Sequence, residues 1–307
     1  ERKKGVIFIT HKLDEIFTAC DTVVVLRDGQ YIGAKPTKDV NRDELIGMMV
    51  GRTVSNLYPK KKAEIKDVIL EVKNLSRKGY FEDISFSVRA GEVLGFCGLI
   101  GAGRSEVMEC IFGMEKKNRG EIYIHQKKVD IRIPKDAIRH KIAMVTEDRR
   151  DKGLMHMQSV KFNMSISYLE RIMKGWFVDR KAELEDCIKM AESVQVKMTG
   201  LSQGAGQLSG GNQQKVIIGR WLLTQPDVFI LDEPTRGIDI GAKAEIYRLI
   251  MEMAQQGKAI IIVSSELPEL MGICDRAIIM SRGRITGEVD RVDFDEKKLL
   301  GYAFGNM

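Results

Sequence analysis

No apolar run in this chain is long enough to cross a bilayer. Stretches such as Ala259-Ile-Ile-Ile-Val263 stop after five residues, whereas a spanning helix needs about 20. A signal peptide is not expected either, because Glu1-Arg-Lys-Lys4 leads only into the short apolar segment Val6-Ile-Phe-Ile9. Cysteine is sparse, and Cys20, Cys97, Cys110, Cys187 and Cys274 show no zinc spacing. Reduced, mostly buried thiols of a cytosolic protein are the expectation. No block of one charge sign stands out: the net charge is +6, but Lys and Arg are interspersed with Asp and Glu. That pattern describes a solvated surface, and no nucleic-acid partner is expected from it. With 44% hydrophobic and 30% charged residues, disorder is excluded as well. The sixteen methionines read as packing.

What the chain does contain is Gly98-Leu-Ile-Gly-Ala-Gly-Arg104-Ser105, which has the spacing of a phosphate-binding loop except that Arg104 stands where lysine is usual. It follows the strand-like Glu92-Val-Leu-Gly-Phe-Cys97 and precedes Glu106-Val-Met-Glu-Cys-Ile-Phe112, which reads as a helix. Glycines suit such a loop because backbone N–H groups must face the phosphates without a Cβ in the way. The helix start adds partial positive charge. Alone, a glycine-rich turn before a helix is equally ordinary structure. Two further strings follow it in order: Leu208-Ser-Gly-Gly-Asn-Gln-Gln-Lys215, and the apolar run Val228-Phe-Ile-Leu231 ending in Asp232-Glu233-Pro234. Together they resemble the phosphate loop, signature motif and Walker B strand of ATP-binding-cassette (ABC) ATPases. The resemblance implies an α/β P-loop NTPase fold: an ABC ATPase cassette with an antiparallel β subdomain and an α-helical subdomain.

An internal repeat organises the chain. Val6 to Glu15, Cys20-Asp21 and Gly33 align without gaps on Ile260 to Glu269, Cys274-Asp275 and Gly287, so that position 11 meets position 265 at a constant offset of 254. Residue 1 is not methionine and lies just before a strand that comes late in the second copy. The expectation is a fragment: residues 1–52 as the C-terminal remnant of a first cassette, 53–66 as a linker, and 67–307 as a second cassette. Within the latter, the pattern from Ser159 to Thr199 turns helical and polar. The resemblance places a helical subdomain there, at about 155–207.

The resemblance also implies roles. Gly98, Gly101, Ala102, Gly103, Arg104, Ser105 and Glu106 would bind ATP, with Ser105, Asp232 and the Q-loop residue Glu147 at Mg²⁺. Glu233 would be the general base for the attacking water. Asp239 matches the D-loop that touches the opposite cassette. Leu208, Ser209, Gly210, Gly211 and Gln213 form the signature. An aromatic residue stacks on adenine about twenty residues before the phosphate loop, and Tyr80 or Phe81 fits, with Phe81 carried forward; either ring fits the core equally.

Three positions depart from the family pattern. Arg104 replaces lysine, and its planar fork hydrogen-bonds along different directions. Glu147 stands at the Q-loop glutamine, where it would put negative charge near the γ-phosphate and the metal. Ser265 occupies the place of the switch histidine, which the first copy keeps as His11. Three such changes around one nucleotide point to a weakened site. Because ABC cassettes pair head to tail, the signature at 208–214 would then close over the phosphate loop of the first cassette, with His11 completing that active site.

Arg104 in the loop, Thr146-Glu-Asp-Arg-Arg150 and Leu231-Asp-Glu-Pro-Thr-Arg-Gly-Ile-Asp-Ile-Gly-Ala-Lys243 together resemble the ATP-binding subunits of bacterial monosaccharide importers. The signature region looks nearest to galactose/methyl-galactoside importers, with ribose, xylose and arabinose relatives beside them. That family implies membrane permease subunits as partners, a periplasmic or lipid-anchored sugar-binding protein reached through them, and a place on the cytoplasmic face of the cell membrane. A soluble tandem-ABC translation factor is the contrasting reading, and the short stretch from Arg52 to Lys66 argues against it. A nucleotide-gated module that binds ATP without useful hydrolysis is the other.

Overall fold

The computed structural model describes residues 4–10, 13–27, 29–50, 58–59 and 63–305. After an irregular start the chain forms α1 (Leu13–Ala19), β1 (Thr22–Arg27), β2 (Gln30–Pro36) and α2 (Arg42–Val50). Strands β1 and β2 pair antiparallel, and Leu13, Ile16, Val23, Val25 and Leu45 close a small core of their own. The repeat predicts a strand at Val6–Ile9, and the structure has none. Val6, Ile7 and Ile9 are 85%, 92% and 92% exposed, and no strand among the described residues lies beside them to take up their backbone hydrogen bonds.

The larger part begins with β3 (Val68–Arg77), β4 (Phe81–Arg89), β5 (Val93–Gly98), α3 (Arg104–Phe112), β6 (Arg119–Ile124), β7 (Lys127–Val129), α4 (Pro134–Arg139) and β8 (Ile142–Val145). Next come α5 (Val160–Ser165), β9 (Met173–Lys174), β10 (Phe177–Val178), α6 (Arg180–Ser193) and α7 (Gly210–Leu223). The chain then runs through β11 (Val228–Asp232), α8 (Ile240–Gln255), β12 (Ala259–Val263), α9 (Leu267–Ile273), β13 (Arg276–Ser281), β14 (Arg284–Asp290) and α10 (Glu296–Ala303).

Strands β8 and β12 are apolar along their length, β11 is apolar up to its last residue Asp232, and all three are fully buried, as strands covered on both faces must be. They lie in a six-stranded sheet of order β14-β13-β5-β12-β11-β8, parallel except for β14. The period of two along β5 divides the interior. Leu94 and Phe96 enter one core with Val107 and Met108 of α3 and Ile84 of β4, while Val93 and Cys97 enter the other with Val216 of α7 and Ile250 of α8. A second, antiparallel sheet of order β4-β3-β6-β7 covers the first core. Its strand β4 sends Phe81, Ile84, Phe86 and Val88 inward and leaves Glu82, Asp83 and Ser85 outside.

The segment predicted as helical between Ser159 and Thr199 holds α5 and α6, but a two-stranded ribbon, β9 and β10, interrupts it. Gly175, at φ 63°, allows the tight turn between the two strands. Asp179 then starts α6 by accepting hydrogen bonds from the Lys181 and Ala182 N–H groups. Helix α7 packs on α5 and α6, and buried Lys215 ties it to α8 through Glu245 at 2.5 Å.

Candidate functional site

The glycine-rich loop leaves the C-terminal end of β5, between β13 and β12, which is where open α/β sheets bind ligands. Gly98 has φ 153°, and a Cβ there would lie 2.2 Å from the Met280 carbonyl oxygen, so only glycine passes. Gly101 and Gly103 curl the chain with φ 80° and 95°, and Ala102 is buried beneath the loop. Helix α3 then starts at Arg104, with Ser105 and Glu106 half-buried in its first turn.

Arg104 is buried, and its guanidinium donates to the Ser264 carbonyl at 2.9 Å. Asp232 ends β11, beside Val263 of β12, and is 2% exposed. The Ser105 hydroxyl donates to its carboxylate, whereas Oδ1 has no hydrogen-bond partner. Burial pushes the Asp232 carboxyl up to about 7, against the lowering effect of Ser105. A buried carboxylate oxygen left without a donor, next to a hydroxyl, fits a hard cation that takes few protein ligands and completes its shell with phosphate or water.

Glu233 follows with φ 47°, a left-handed conformation that is costly for a residue with a long side chain. Its own N–H donates to the Val263 carbonyl at 2.8 Å, which holds the turn. Burial raises the Glu233 pKa, while hydrogen bonds from the Ser265 hydroxyl and N–H, and the charge of Arg104, pull it down. A raised carboxylate is the stronger base. The structure thus brings Arg104, Ser105, Asp232, Glu233 and Ser265 together at the ends of β5, β11 and β12. Ser264, which anchors Arg104, was not singled out in the sequence, since nothing local marks a contact 160 residues away.

The remaining candidates fall elsewhere. Glu147 forms an ion pair with Arg236, three residues beyond Glu233, so a cation offsets the charge expected to stand bare near the metal. His11 lies outside the described residues. Phe81 is 4% exposed with its ring in the core, so of the two aromatic candidates it has no free face to offer a base. Tyr80 is 50% exposed, and its carbonyl oxygen lies 3.1 Å from where a Cβ on Gly103 would be, close beside the phosphate loop. The Arg77 guanidinium covers one face of its ring at 4.0 Å.

The signature residues form a second group at the start of α7. Leu208 is buried, while Ser209 is exposed and its hydroxyl accepts from Asn212 Nδ2 at 2.9 Å. The Gly210 carbonyl accepts from Arg149 at 3.2 Å. Gly211 packs so tightly on α8 that a Cβ would lie 2.4 Å from that of Ala242. Gln213 is buried and donates to the Ala205 carbonyl at 3.4 Å, so its carboxamide faces its own loop. Asp239 caps α8, accepting from the Ala242 N–H at 2.9 Å.

With this geometry, the family profile described as ABC transporter matches residues 81–236. The chain belongs to the ABC transporter family. A ribose/galactose/methyl galactoside import ATP-binding protein of Geobacillus kaustophilus is 49% identical over 308 residues, covering 100% of this chain and 61% of the relative. Relatives of the same name from Halalkalibacterium halodurans and Burkholderia lata are 45% and 49% identical, each covering 99% of this chain and 59% and 58% of their own length. The chain thus spans about 60% of these curated relatives. Among solved structures, the ATP-binding cassette MJ1267 of an ABC transporter superposes with a TM-score of 0.67 at 23% identity, covering 77% of this chain and 99% of that one. A nucleotide-free ATP-binding cassette from an ABC transporter gives 0.65 at 24% identity, covering 76% and 96%. These two likenesses establish the fold of this ABC family member, a P-loop α/β cassette with its antiparallel and helical additions.

Proposed function

We propose that this chain is part of the ATP-binding and ATP-hydrolysing subunit of a bacterial monosaccharide importer, seated on permease subunits at the cytoplasmic face of the membrane. The observation that carries the reading is the convergence of the glycine loop, Ser105, Asp232 and Glu233 on one end of the parallel sheet. The names of the relatives support the sugar class, with galactose or methyl galactoside as cargo and ribose in the same names. A sugar-binding protein would deliver the cargo to the permease.

In this reading the loop from Gly98 to Gly103 presents its N–H groups to the phosphates of ATP, and the α3 N-terminus adds positive charge. Ser105 and Asp232 would hold Mg²⁺, which when bound would neutralise phosphate charge. Glu233 orients the attacking water and takes its proton, helped by a carboxyl that burial has made more basic. Tyr80 stacks on adenine.

For this cassette we infer slow turnover. Arg104 is committed to the Ser264 carbonyl, Ser265 stands where an imidazole would reach the γ-phosphate, and Glu147 is tied to Arg236. Residues 208–214, with His11, serve the fast site on a first cassette, to which residues 1–52 belong; 53–66 link it to the second cassette at 67–307. Asp239 touches that opposite cassette from the start of α8.

The test is turnover by the two-cassette protein with its permease. Ser209→Ala combined with His11→Ala lowers ATP hydrolysis and sugar import about tenfold or more, whereas Glu233→Gln spares most of both. Intact turnover in the first variant with abolished turnover in the second overturns the assignment.

A further inference from the structure

Behind the site lies a buried carboxylate to which the mechanism above gives no part. Glu269 of α9 is 1% exposed, and its hydroxyl partners come from the two segments that flank the site. Thr235, two residues after Glu233, donates Oγ1 to Glu269 Oε1 at 2.8 Å. The Ser264 hydroxyl donates to the same carboxylate. Ser264 also receives Arg104 on its carbonyl, and its neighbour Ser265 bonds Glu233. One carboxylate therefore ties together the turn that carries the base, the switch segment and the anchor of the phosphate-loop arginine.

Two observations separate this from incidental packing. The first copy of the repeat makes the same bond: Thr10 Oγ1 donates to Glu15 Oε2 at 2.7 Å, at positions equivalent to Ser264 and Glu269. The hydroxyl is kept while the residue changes from threonine to serine. The cluster is also sealed from outside. Thr235 is hydrogen-bonded to Tyr247, whose ring stacks on Tyr58 at 5.4 Å and 30°. Tyr58 in turn lies over α9, where a Cβ on Gly272 would sit 2.3 Å from its ring. A satisfied polar network in a dry setting rigidifies what it touches.

We propose that Glu269 is a positioning residue that fixes the γ-phosphate side of this nucleotide site through Thr235 and Ser264. The inference rests on the nucleotide reading above. It places the effect of Glu269 on discrimination between ATP and ADP, because Glu269 bonds directly to Thr235 and Ser264 on the γ-phosphate side, whereas the loop glycines and Tyr80, which hold the shared part of both nucleotides, are not among its hydrogen-bond partners.

Calorimetric titration of the chain with Mg²⁺–ATP and Mg²⁺–ADP tests this. The unmodified chain prefers ATP. Glu269→Ala reduces ATP affinity about tenfold and leaves ADP affinity within about twofold, erasing the preference. Glu269→Gln, whose carboxamide accepts from one hydroxyl and donates to the other, restores most of it. Thr235→Val loses part of the preference and keeps the test decisive if Glu269→Ala does not fold. Equal losses for ATP and ADP, or an unchanged preference in Thr235→Val, overturn the positioning role. Failure of the unmodified chain to bind either nucleotide overturns the underlying nucleotide reading instead.

Discussion

Arg104 donates to the main-chain carbonyl of Ser264 at 2.9 Å, so the cation at the lysine position of the phosphate loop is anchored on the strand end that leads into the switch segment. In this family member the start of α3 and the end of β12 are thereby joined.

The first consequence concerns stability. Arg104→Ala removes a charge-assisted bond from a buried carbonyl and lowers unfolding free energy by about 1.5–3 kcal/mol without any nucleotide present. Arg104→Lys, with a single ammonium on a flexible stem, keeps part of that stability. Urea denaturation of the three proteins checks the order.

Asp232 gives a pH dependence. Its carboxyl sits at about 7 in the folded chain through burial, against an ordinary value of 3.8. Between these values the folded state retains a proton that the unfolded chain has lost. Stability therefore falls as pH rises across that window, by up to about 1.4 kcal/mol per pH unit, and the deficit is complete above the folded value. Asp232→Asn removes the effect: the variant matches the parent near pH 4 and is more stable near pH 8 (both pH values approximate). The same variant loses Mg²⁺-dependent nucleotide binding. Melting curves across pH, with and without Mg²⁺–ATP, read both outcomes.

Tyr80 and Phe81 separate binding from folding. Tyr80→Ala weakens nucleotide binding by about 0.5–1.5 kcal/mol with the melting temperature little changed. Phe81→Ala opens a core cavity and costs about 3–5 kcal/mol of stability.

The sequence motifs and their order made the α/β cassette legible, because strands buried on both faces appear as apolar runs at β8, at β12 and, up to Asp232, at β11. The choice between Tyr80 and Phe81 was not legible: Tyr80 closes the turn before β4 and Phe81 opens the strand, and only the packing of the folded chain decides that Phe81 is buried and Tyr80 exposed. The pairing of Glu147 with Arg236 and of Glu269 with Thr235 joins residues on separate loops and helices, which no local pattern encodes. Val6–Ile9 shows the opposite failure: the apolar pattern of a strand is present, but no strand among the described residues lies beside it.

Gly211 sets how closely α7 approaches α8. Gly211→Ala places a Cβ against Ala242, where 2.4 Å would separate the two carbons, so the helices must part. The cost is about 1–3 kcal/mol of stability, and Ala242→Gly in the same chain recovers much of it. A double-mutant cycle by thermal denaturation measures the coupling.

The most direct test of the account is single-turnover hydrolysis by this chain, measured beside its affinity for Mg²⁺–ATP. Binding that depends on Ser105 and Asp232, together with very slow release of phosphate, is the predicted result. Brisk turnover would contradict the reading of Arg104, Glu147 and Ser265 as features of a weakened site.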